Sequence, residues 1–147
     1  MKTYIFKTKL LNDKEIIREI EAAENINLYK LAEAIVGAYG FDFDHAFGFY
    51  SNMKEDYFKS ERMYELFADI KSKDIEPTGA ESVEKTKIGE VWEKIGDKMM
   101  MLFDYGDGWQ FAVELIGFGK KEAKTKYLRL LKSIGKAPEQ YPDYDEE

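Results

Sequence analysis

Polar and apolar residues alternate from the start of the chain. Tyr4, Phe6, Thr8 and Leu10 share one face of residues 3–11, and Lys7 and Lys9 the other. A period of two predicts a half-buried strand. Asn12-Asp13 signals a turn, and residues 15–22 alternate again, with Ile16, Ile20 and Ala22 opposed to Glu19 and Glu21. Two such runs around a short turn predict an antiparallel hairpin. The period then lengthens. Leu28, Leu31, Ala32, Ile35, Val36 and Tyr39 form one stripe at helical spacing. Asn27 before it suits an N-cap, because its side-chain oxygen can accept an orphan N–H. Gly40 after it suits a left-handed C-terminal residue.

The middle of the chain is less regular. Ala46–Tyr50 predicts a short strand. Met63, Leu66, Phe67 and Ile70 give a narrower helical stripe, so a second helix is expected over about Ser60–Lys71. Residues 72–86 are polar, contain Pro77 and Gly79, and read as a loop. Ile88–Ile95 reads as a short helix with Val91, Trp92 and Ile95 facing inward. Lys98–Asp104 is apolar on both faces, which predicts a central strand. Tyr105-Gly106-Asp107-Gly108 turns the chain. Trp109, Phe111, Val113 and Leu115 then alternate with Gln110 and Glu114 up to Gly117, completing a second hairpin. Residues 125–134 fit a helical period through Tyr127, Leu128, Leu130, Leu131 and Ile134, and fit a strand ending at Gly135 as well.

These elements predict an α+β fold: a mainly antiparallel sheet built from two hairpins, with two to three helices packed on it. Residues 1–136 form one globular domain and 137–147 an acidic C-terminal tail. Composition supports a real core, since 44% of the 147 residues are hydrophobic and 15% aromatic. The absence of cysteine excludes disulfides, thiolate zinc sites and a cysteine nucleophile, and suits a reducing compartment. The first residues do not read as a signal peptide, and no apolar run of membrane-spanning length occurs. The expectation is a cytoplasmic protein with no membrane contact. Net charge is −7, but residues 137–147 hold five acids and no base. Residues 1–136 therefore carry 24 acids against 22 bases. No stretch concentrates Lys and Arg, so tight nucleic-acid binding is not expected from the sequence.

Candidate chemistry lies in two strings. Asp104-Tyr105-Gly106-Asp107-Gly108-Trp109 is a hairpin connection in which two glycines permit positive φ and Asp107 can bond nearby backbone. A strand follows it, so the helix N-terminus usual at a phosphate cradle is missing. Trp109 beside this turn suits an anchor of a partner surface. The second string holds Asp42, Asp44 and His45, the only histidine. With Asp104 and Asp107 these residues are an alternative set for a hard or borderline divalent metal, which would activate water in a hydrolase or nuclease. Met99-Met100-Met101 is core filler, because adjacent strand residues point to opposite faces. No Gly-x-Ser-x-Gly elbow is present, and no catalytic set is assigned.

The combination of Asp44-His45-Ala46-Phe47 after an amphipathic helix, Phe103-Asp104-Tyr105-Gly106-Asp107-Gly108-Trp109, and Gly135-Lys136-Ala137-Pro138-Glu139-Gln140-Tyr141-Pro142 resembles the Ri-plasmid open-reading-frame-three-like family, also known as an insertion-element passenger family. The resemblance implies one domain with helices on a mainly antiparallel sheet, an association with plasmids or mobile elements, and no agreed activity. It also tips residues 125–134 towards a strand. Many members show a Trp-Arg pair near the second strand and a histidine early in the first helix. Here those regions read Ile16-Ile17-Arg18 and Leu31-Ala32. The expectation is a small interaction module with a protein partner, no cofactor, and a patch of His45, Asp104, Tyr105, Gly106, Asp107, Gly108 and Trp109.

Overall fold

The computed structural model describes residues 1–53, 56–66, 80–121 and 128–141. Eight strands lie in one sheet: β1 (Lys2–Leu10), β2 (Asp13–Ala23), β3 (Phe47–Tyr50), β4 (Met63–Glu65), β5 (Glu81–Ser82), β6 (Lys98–Phe103), β7 (Trp109–Lys120) and β8 (Leu128–Ile134). Their order is β5-β4-β3-β6-β7-β1-β2-β8. All neighbours pair antiparallel except β4 with β5, which are parallel. The helices are α1 (Leu28–Ala38) and α2 (Ile88–Val91). No helix among the described residues is long and apolar enough to cross a membrane.

The two-hairpin architecture with two to three packed helices is thereby corrected. Among the described residues the chain is mostly sheet, and the β1–β2 and β6–β7 hairpins are parts of a single eight-stranded sheet with two α-helices. The expected helix over Ser60–Lys71 gives way to β4 in its described part, and residues 67–71 lie outside the described residues. Met63 and Leu66 fit a helical spacing. The alternation that prevails puts Tyr64 into the main core at 5% exposed and Met63 and Glu65 on the opposite sheet face, in register with Phe49, Tyr50 and Gly48 of β3. Within the polar stretch 72–86, Glu81–Ser82 forms β5, and 72–79 lie outside the described residues. The short helix ends at Val91 rather than Ile95. Trp92 is already extended, because its indole N–H donates to the Val113 carbonyl at 3.2 Å. Ile95 is 59% exposed. Residues 128–134 are a strand, as the family resemblance implied.

α1 forms where its stripe predicts. The Asn27 side chain accepts the Lys30 N–H at 2.8 Å, and Gly40 takes φ +76°. Leu28, Leu31, Ala32, Ile35 and Val36 are buried on the sheet face that carries Phe6, Ile20, Phe111, Val113 and Leu115. Each large side chain buried there contributes about 1.5–3 kcal/mol. Arg18 ties three elements together: its guanidinium donates to the Ala38 carbonyl at the end of α1 and to Ile17 and Ile134 across the β2–β8 pair. A cation at a helix C-terminus also offsets the negative end of the dipole. The opposite sheet face carries a smaller cluster of Tyr50, Met100 and Leu102, packed with Leu11, Met53, Tyr57 and Met63. β6 lies between the two clusters, which is why it is apolar on both faces.

Candidate functional site

The β6–β7 turn is shaped by one aspartate. Asp104 sits in left-handed backbone at φ +61°, as does Gly108 at φ +69°. Aspartate tolerates this region because its short carboxylate bonds its own turn. Asp104 Oδ1 accepts the Gly106 and Asp107 N–H groups at 3.1 and 3.3 Å. The Asp104 carbonyl accepts the Gly108 N–H, and the Asp104 N–H donates to Ala46 of the preceding loop. That last bond joins the turn to the loop carrying His45.

Asp104 Oδ2 lies 3.3 Å from His45 Nε2, and the Asp104 side chain is only 8% exposed. The histidine ring meets Phe103 edge-on, with centroids 6.1 Å apart. A third segment closes the group. Gln140 holds the Asp42 backbone at both ends, accepting its N–H at 2.7 Å and donating to its carbonyl at 3.1 Å. The same amide donates to Asp44 Oδ1 at 3.2 Å. The Tyr141 hydroxyl donates to Asp44 Oδ2 at 2.8 Å and lies 2.7 Å from His45 Nε2. With the phenol proton committed to Asp44, the histidine is the donor in that second bond, which places its proton on Nε2. Desolvation, the bond to Asp44, and the charges of Asp44, Asp104 and Asp107 push the Tyr141 phenol up to about 12.

The structure thus brings His45 to the Asp104 turn and adds Asp44 through Tyr141. Asp42 and Asp107 enter the hydrogen-bond network through backbone groups rather than carboxylates. Among the described residues no three or more His, Cys, Asp or Glu side chains are grouped so as to hold a metal ion. Trp109 is half-buried, packed against Phe41 at 4.8 Å and against the main core. Its Nε1 is buried with no hydrogen-bond partner.

On the opposite face Tyr105 meets a network that no sequence pattern announced. Tyr50 donates to Glu65 Oε2 at 2.5 Å, and its hydroxyl lies 2.6 Å from that of Tyr105. Gly48 makes the room. A Cβ there would stand 2.6 Å from the Tyr50 hydroxyl and 2.8 Å from that of Tyr105. Burial, then the bonds to Glu65 and Tyr105, raise the Tyr50 phenol far above its ordinary value. Burial first also raises Tyr105, to about 12. Gln140 and Tyr141 were visible in the sequence only as part of a closing string.

Over residues 2–141 the chain matches the family described as plasmid pRiA4b ORF-3-like protein, and it belongs to that family. The crystal structure of a protein of unknown function from Methanosarcina mazei Go1 has a similar fold, with a TM-score of 0.69 at 20% identity, covering 90% of this chain and 68% of that one. At that identity the likeness concerns the fold alone. Among curated proteins, none matches the chain.

Proposed function

We propose that this protein is a non-enzymatic, intracellular binding module. Its contact surface is the Asp104–Trp109 turn, the His45 loop, and the Gln140–Tyr141 segment latched onto that loop. The observation that carries the reading is the bonded set His45, Tyr141, Asp44 and Asp104, held in place yet partly open to solvent. The His45 and Asp44 side chains are 41% and 45% exposed. Groups fixed before binding lose little conformational entropy on contact. The set's one phenol, raised by desolvation and then by the bond to Asp44 and nearby carboxylate charge, is protonated at neutral pH and donates hydrogen bonds. The Asp44 and Asp104 carboxylates flank the single histidine and the charge of Asp107 reaches Tyr141, so the partner is a protein segment carrying Lys or Arg.

Calorimetric titration with a Lys/Arg-rich peptide, against a version with alanine at the basic positions, tests this. The basic peptide binds more tightly, and the difference shrinks with added salt. Asp44→Asn and His45→Ala each weaken binding about fivefold, roughly 1 kcal/mol. Equal binding of the two peptides, or unchanged binding by both variants, overturns the reading.

A further inference from the structure

The sheet face away from α1 collects cations from separate strands. Lys7 and Lys9 come from β1, Lys14 from β2 and Lys98 from β6, and all four line one cleft of about 160 Å³. Ala112 of β7 lies opposite Lys9 on one side and Met100 on the other, so a small side chain lies between longer ones in that row. Leu11 and Met53 complete the wall, and Glu114 is the single acid in the lining. Glu114 stands in register between Lys7 and Lys98. Among the described residues none of the four lysines forms an ion pair. In a chain of net charge −7, this lining carries four bases against one acid. Such segregation leaves a local field that attracts anions.

Aromatic rings are linked to the cleft through Met53, which lines it. Met53 packs in the same cluster as Tyr50 and Tyr57. The Tyr57 ring lies 5.7 Å from Phe58 and 6.3 Å from Tyr105. Phe58 is 61% exposed and Tyr105 is 41% exposed. Unpaired ammonium groups and solvent-facing rings reached through one intervening side chain are the two elements that hold a single-stranded nucleic acid: charge for its phosphates, ring faces for its splayed bases. An acidic peptide would use the first and leave the second idle.

We propose that this sheet face binds single-stranded nucleic acid with little sequence preference, the four lysines holding the backbone and Tyr57, Phe58 and Tyr105 taking bases. The affinity falls in the weak range of charge-led binding, about 10⁻⁴–10⁻⁶ M at physiological salt. The four lysines lie outside the acidic patch around His45, and Tyr105, in the Asp104–Trp109 turn, is the one residue the two surfaces share.

The test is fluorescence anisotropy of a labelled oligo-dT strand with the full chain across a salt series. Four phosphate contacts at about 0.7 each predict a slope of log K against log salt near −3. In the variant Lys7→Gln/Lys9→Gln/Lys14→Gln/Lys98→Gln the slope approaches zero. If that variant does not fold, Lys9→Gln and Lys98→Gln singly must each remove about 0.7 of the slope. Phe58→Ala weakens binding and leaves the slope unchanged, and Glu114→Gln tightens it. No binding at low salt, a salt-independent affinity, or lysine variants that bind like the wild type would overturn the proposal. Displacement by poly-glutamate with Phe58→Ala indistinguishable from wild type would also overturn it and assign the face to an acidic protein.

Discussion

Gly48→Ala puts a methyl group where two phenols converge. The added carbon would stand 2.6 Å from the Tyr50 hydroxyl, 2.8 Å from its Cζ and 2.8 Å from the Tyr105 hydroxyl. Tyr105 is 41% exposed and can swing outward, but Tyr50 is fully buried and cannot. Relieving the clash therefore shifts strand β3 or breaks the Tyr50–Glu65 and Tyr50–Tyr105 bonds. Overpacking costs about 1–3 kcal/mol, and each lost bond about 1 kcal/mol. Taken together, with partial relaxation, the expected loss is about 2–4 kcal/mol. For a chain of this size that is a fall in melting temperature of roughly 4–16 °C. Denaturant unfolding followed by tryptophan fluorescence measures it. The double variant Gly48→Ala/Tyr50→Phe separates clash from general strain. Removing the hydroxyl relieves the closest contact, so the double variant must lose less than the sum of the two single losses by about 1 kcal/mol or more. A Gly48→Ala protein within 0.5 kcal/mol of wild type would refute the reasoning, and so would strict additivity.

Three further outcomes follow from the same geometry. The Tyr50 and Tyr105 phenols have folded pKa values raised above the ordinary 10.0, Tyr105 to about 12. The unfolded chain therefore releases these protons first, and their contribution to stability, intact below pH 10, falls as pH rises above it, that of Tyr105 being lost by about 12; Tyr105→Phe flattens that fall in an alkaline unfolding series. Trp109→Phe removes an indole N–H that is buried without a partner, so stability changes by less than about 1 kcal/mol in chemical denaturation, where Trp92→Phe, losing a bonded N–H in a fully buried ring, costs about 1–3 kcal/mol. Asn27→Ala deletes the bond to Lys30 N–H and costs about 1 kcal/mol by thermal unfolding.

The long periodic elements were legible in the sequence because their burial is regular. β1, β2, β6 and β7 alternate or fill both faces as their neighbours require, and α1 carries its cap and stripe in one run. β4 and β5, at three and two residues, are too short to show a period, and the spacing of Met63 and Leu66 fits a helix equally well. β8 is mostly exposed at the sheet margin, so burial imposed little alternation on its sequence. The turn at Asp104 and the loop at His45 could be read as neighbours because both flank strands of the same sheet. Gln140 and Tyr141 could not be placed, since their bonds to Asp42, Asp44 and His45 span 96 to 98 residues and leave no local signature. The lysine cleft was hidden for a related reason: its members are scattered along the chain, and only the register of β1, β7 and β6 gathers Lys7, Lys9 and Lys98.

The central claim is that the latched His45 turn is a contact surface, and amide chemical-shift mapping with the Lys/Arg-rich peptide tests it most directly. The account predicts shifts concentrated at Asp42–His45, Asp104–Trp109 and Gln140–Tyr141, lost in Tyr141→Phe, with the β1 and β6 lysine face undisturbed. Shifts spread over the lysine face, or a titration that leaves the Asp104 turn unmoved, would contradict it.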